Sequence, residues 1–177
     1  MPVPRVLLVG ISGPSCSGKT TLARLLRDIW PNSFILHEDD FYWTDDKIPV
    51  KDGVQDWDCL ESIDIATFRK SLQYIKTRGT LPPDLQSKED QNSAGECNVD
   101  PSVIAERRDI AKEQLAGVAQ QTRIAICDGF LLYSQDMKEI WELMDVRLFL
   151  HAEYVSKPLP CNSDYYVLEL VSEMRVS

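Results

Sequence analysis

Three groups of residues in this chain have the type and spacing to do chemistry. Gly13-Pro14-Ser15-Cys16-Ser17-Gly18-Lys19-Thr20 fits G-x-x-x-x-G-K-[ST], a phosphate-cradling loop. Its glycines allow the backbone to turn successive N–H groups inward, and a following helix would aim its positive end at the same point. Gly13, Ser15, Cys16, Ser17, Gly18, Lys19 and Thr20, with Thr21 behind them, are therefore candidates for holding a nucleoside triphosphate such as ATP. Lys19 would reach the β and γ phosphates, and the Thr20 hydroxyl would hold Mg²⁺. The second group, Glu38-Asp39-Asp40, follows a short apolar run, and the third is Asp128 at the end of another. A carboxylate at a strand's carboxyl end is well placed to meet metal and phosphates.

The elements needed to position these groups can be read around them. Arg5–Ser12 is an apolar run of the kind a buried parallel strand requires. Leu22, Leu25, Leu26 and Ile29 fall on one face of a helix that should end near Trp30-Pro31. Ser33–His37 reads as a second strand, and residues 43–57 as a polar, irregular loop. Asp64 is a candidate N-cap for a helix carrying Phe68, Leu72 and Ile75, with Gly79 as its stop. Residues 80–98 turn polar and read as a mobile surface insertion. Asp100-Pro101 restarts a helix expected to run to about Ala119. Arg123–Tyr133 is a third strand with its exit, Ile140, Leu143 and Met144 suggest a further helix, and Val146–Ala152 is a fourth strand. Strands alternating with helices imply a parallel sheet covered on both faces, an α/β fold.

Bulk composition narrows the function classes. The 177 residues suffice for one domain, and 44% apolar with 27% charged residues is ordinary for a globular protein. A net charge of −9 argues against a nucleic-acid partner, which needs a basic face. No run approaches the length of a membrane span, and no secretory signal is evident. The five cysteines form no C-x-x-C pair, which suits a reduced intracellular setting, read as cytoplasmic with the nucleus as a further option. Cys16 would lie beside Lys19 and a helix N-terminus, conditions that favour a thiolate, although an inert loop residue is the simpler reading. His37 and His151 sit in apolar runs and read as ordinary strand residues.

Taken together, Gly10–Ala23, Glu38-Asp39-Asp40-Phe41-Tyr42, Gln55-Asp56-Trp57-Asp58 and Cys127-Asp128-Gly129-Phe130-Leu131-Leu132 resemble nicotinamide riboside kinases, within the uridine-kinase-like branch of P-loop kinases. The resemblance covers about residues 5–153 and implies a three-layer P-loop NTPase fold. It implies transfer of the ATP γ-phosphoryl group to the 5′-hydroxyl of nicotinamide riboside, a small nucleoside, with Mg²⁺. By position it assigns Asp39 and Lys19 to catalysis, and Thr20, Asp39 and Asp128 to the metal. It places Asp39, Tyr42, Trp57, Asp58 and Asp128 at the acceptor, Asp58 on the ribose hydroxyls and Trp57 against the nicotinamide ring. Charge agrees: the fixed cation of that ring suits Glu38, Asp39, Asp58 and Asp128 beside a Trp face.

After Tyr154 the likeness ends. Residues 1–154 read as the P-loop kinase domain, with an insertion at about 80–99, and residues 155–177 as a divergent tail. The family's Arg-rich lid has no counterpart there, Arg175 being the tail's one arginine, so the fold is expected to be truncated at its C-terminal end. Tyr165–Val171 fits an edge strand or a short helix equally. Two other readings stay open: a kinase for uridine or another nucleoside, and an inactive nucleotide-binding remnant.

Overall fold

A computed structural model describes residues 5–87, 99–114, 116 and 122–151, together with the backbone of a strand at 171–174. Strands β1 (Arg5–Ser12), β2 (Ser33–His37), β5 (Thr122–Gly129), β6 (Val146–Phe149) and β7 (Val171–Met174) form one sheet in the order β2-β5-β1-β6-β7. The first four run parallel, and β7 joins β6 antiparallel. Two-residue strands β3 (Val50–Lys51) and β4 (Val54–Gln55) make a small hairpin inside the loop expected to be irregular.

The sheet is apolar on both faces because its strands alternate between two cores. Leu8, Leu36, Ala125 and Cys127 face one layer, which is completed by Phe68, Leu72 and Ile75 of helix α2 (Ile65–Arg78). Val9, Ile11, Ile35, Ile124 and Ile126 face the other, where Ala23 of helix α1 (Lys19–Ile29) is fully buried. Helix α3 (Pro101–Gln114) packs on α1. The further helix is a single turn, α4 (Lys138–Trp141), following a 3₁₀ turn at Gln135–Met137.

Capping follows the sequence reading. Asp64 Oδ1 accepts from the Thr67 backbone N–H at 3.0 Å, and Gly79 closes α2 in the left-handed conformation at φ 73°. Helix α3 ends at Gln114; the stretch on which its expected continuation falls lies largely outside the described residues, as do 88–98 of the expected insertion. The strand in the tail lies at Val171–Met174; residues 165–170, which fit a strand or a helix equally, lie outside the described residues.

The register places the chemistry at one edge. Ser12 of β1 pairs with Gly129 of β5, and His37 of β2 with Asp128. Three strands therefore end together, and the phosphate loop, Glu38-Asp39-Asp40 and Asp128-Gly129-Phe130 leave the sheet side by side.

Candidate active site

The loop after β1 turns back on the sheet at Gly13. Its φ is 150°, and a Cβ there would meet the Leu150 carbonyl oxygen at 2.5 Å, so only glycine fits. Cys16 takes a left-handed φ of 61°, uncommon for a non-glycine residue, and Gly18 at φ 85° opens α1. Ser17 is buried beneath the loop. Lys19, on the first turn of α1, folds back so that Nζ donates to the Pro14 carbonyl at 2.7 Å. Burial lowers its pKa, an effect opposed by the nearby carboxylates of Asp128, Asp39 and Glu38.

Thr20 Oγ1 donates to Asp128 Oδ2 at 2.7 Å. Asp128 is buried, and its other oxygen, Oδ1, lies 2.6 Å from His37 Nδ1, which is also buried. A hydroxyl and a carboxylate are the hard oxygen donors that Mg²⁺ takes when phosphates supply the rest. Among the described residues, no three His, Cys, Asp or Glu side chains gather into a metal-holding group by themselves. The oxygens of Thr20 and Asp128 fit a metal whose remaining ligands are phosphates.

A cleft of about 250 Å³ opens over these residues, lined by Ser15, Cys16, Lys19 and Thr20 on one side and Asp39, Tyr42, Asp58 and Asp128 on the other. Gly129 and Phe130 complete it. Beside it lies a second cavity of about 560 Å³, lined by Trp43, Thr44, Asp45, Asp46 and Trp57. Asp39 and Tyr42 line both. Trp57 meets the Tyr42 ring edge-on at 5.4 Å, and the Lys47 ammonium sits 4.7 Å from the Trp43 ring centre, a cation–π contact at the cavity wall. Burial beside Asp39 and Glu38 raises the Tyr42 pKa, so this phenol stays protonated.

Most expected site residues meet here. Ser15, Cys16, Lys19, Thr20, Asp39, Tyr42, Asp58 and Asp128 share the first cleft, while Trp57 faces the second. Gly13, Ser17 and Gly18 shape the loop rather than line the cleft. Thr21 is exposed and does not line it. Glu38 departs from expectation: it is fully buried and turned toward Phe130 and Leu131, outside the residues that line either cavity. His37 lies buried at the end of β2, as expected of a strand residue, and there meets Asp128. The sequence reading missed Trp43, Asp45 and Asp46, whose signal was an aromatic and two acids directly after the Asp-Asp-Phe-Tyr block.

Fold and cleft define an α/β architecture, a mainly parallel sheet flanked by helices with a phosphate-loop motif at its carboxyl edge. A solved structure described as a possible uridine kinase from Bacillus stearothermophilus superposes with a TM-score of 0.52, over 86% of this chain and 74% of that one, at 18% identity. In sequence, the chain is similar to nicotinamide riboside kinases. It is 40% identical to that of Schizosaccharomyces pombe over 152 residues, 85% of this chain and 63% of that protein. It is 31% identical to that of Saccharomyces cerevisiae over 153 residues, 85% of this chain and 62% of that protein. The chain therefore spans less than two thirds of the length of these relatives. No family model matches it.

Proposed function

We propose that this chain transfers the γ-phosphoryl group of ATP to the 5′-hydroxyl of nicotinamide riboside, giving the mononucleotide and ADP. The observation that carries the reading is the position of Asp39 on the wall shared by two cavities. One cavity has the phosphate loop, and the other has aromatic rings and carboxylates. A nucleoside whose ring enters the second would bring its 5′-hydroxyl past Asp39 toward the first.

The chemistry follows from these groups. The Asp39 carboxylate accepts the hydroxyl proton as the new O–P bond forms. The bond from the γ-phosphorus to the bridging oxygen breaks, and ADP leaves. Lys19 neutralises phosphate charge, trading its contact with the Pro14 carbonyl for phosphate oxygens. Thr20 and Asp128 would hold Mg²⁺, which supplies charge neutralisation across the phosphates. Asp58 accepts from the ribose hydroxyls. Trp57, with Asp45 and Asp46 lining the same cavity, favours a cationic ring over a neutral one.

The setting follows the same reading. Cys16, Cys59 and Cys127 are free thiols, which suits a cytoplasmic or nuclear protein. The acidic chain suits a small-molecule partner and not nucleic acid. Among the described residues, no helix is long and apolar enough to cross a membrane.

Tryptophan fluorescence tests the acceptor. Nicotinamide riboside is expected to quench it saturably in the presence of Mg²⁺ and ADP. Uridine is expected to do so at least about 10-fold more weakly, and Trp57→Ala to lose that preference. Equal binding of both nucleosides by the unaltered chain would overturn the assignment of the ring.

A further inference from the structure

Glu38 stands next to the proposed base yet serves neither cavity. It has no exposed surface, although it is an acid on a 3₁₀ turn at the sheet edge. Its Oε2 accepts from two successive backbone N–H groups, Phe130 at 2.8 Å and Leu131 at 3.2 Å. The side chain lies directly on Gly129, where any Cβ would collide with it. From the other side, Ser12 Oγ donates to the Phe130 carbonyl at 3.3 Å. Phe130 is thus gripped at its N–H by the end of β2 and at its C=O by the end of β1. Immediately before it stand Gly129 and Asp128, the residue that meets Thr20.

We propose that Glu38 is a positioning residue, a strap that fixes the exit of β5 so that Asp128 and Phe130 keep their places opposite Asp39. The proposal rests on the reading of the cleft as a phosphoryl-transfer site and deepens it. What the strap needs is reach and an acceptor oxygen. Glutamine has both without the charge. Aspartate has the charge but is one methylene too short.

Glu38→Gln and Glu38→Asp therefore separate the two requirements. Amide exchange at Phe130 and Leu131, affinity for Mg–ADP, and kcat and KM per folded molecule are measured for both variants and the unaltered chain. Glu38→Asp is expected to speed exchange at these two amides by about 10-fold or more while amides in the middle of β1 are unaffected. Its kcat is expected to fall at least about 10-fold, with KM for the nucleoside within about 3-fold, because small misplacements at a transfer site cost rate. Glu38→Gln should stay within about 3-fold of the unaltered chain in each readout. Normal exchange and kcat in Glu38→Asp would overturn the strap, as would a Glu38→Gln protein as impaired as Glu38→Asp. If the unaltered chain transfers no phosphoryl group, the functional reading fails, and exchange with Mg–ADP affinity still decides the strap.

Discussion

At the level of single residues, the proposed function gives Lys19, Asp39 and Glu38 different duties that substitution can separate. Lys19→Ala removes the cation that lines the cleft beside the phosphate loop. Calorimetry should find ATP affinity reduced at least about 10-fold and transfer abolished; unchanged affinity would remove the loop from its role. Asp39→Asn keeps the shape but not the base. ATP affinity should stay within about 3-fold and transfer should fall by about 10²-fold or more, the usual worth of a general base. Glu38 carries a pH prediction. Burial lifts its pKa from 4.5 to about 7, against two backbone N–H groups that favour the ionised form. A group whose folded pKa is raised stabilises the fold below its unfolded pKa, and this contribution is lost as pH rises through the folded value. Denaturation of the nucleotide-free chain should therefore show stability falling between about pH 5 and about pH 8 by up to about 3 kcal/mol, and Glu38→Gln should flatten that slope. Slopes that are the same in both proteins would show that another group is responsible.

At the scale of elements, local signals in the sequence were strong where physical chemistry is local. Gly79 and the apolar spacing of Phe68, Leu72 and Ile75 mark α2 without any tertiary information. Asp64 does the same at its start, accepting both the Thr67 N–H and, at 2.7 Å, its hydroxyl. Asp64→Ala should lower stability by about 1 kcal/mol, read as a fall in denaturation midpoint. The phosphate loop, Asp39 and Asp128 were legible because a motif and strand ends are written in contiguous residues. Glu38 and His37 were not. Their roles depend on β2 lying beside β5 in the register that pairs His37 with Asp128, which no local pattern encodes. Trp43, Asp45 and Asp46 were hidden for a related reason. A loop's polar residues reveal a cavity only when the fold closes it, here together with Trp57.

Across the whole molecule, the sheet order explains why candidate site residues gather at one edge among the described residues. Parallel strands β1, β2 and β5 deliver their carboxyl ends to the same side, and each end carries one part of the site. The antiparallel β7 adds to β6 at the opposite edge from β2. Net charge of −9 suits the small cationic acceptor proposed above. The central claim is that this arrangement phosphorylates nicotinamide riboside. Incubating the chain with Mg²⁺ and ATP, with nicotinamide riboside and uridine in parallel, and resolving products by chromatography tests it most directly. A mononucleotide is expected from nicotinamide riboside at a rate at least about 10-fold above that from uridine. No product from nicotinamide riboside, in protein shown to be folded and to bind Mg–ATP, would contradict it.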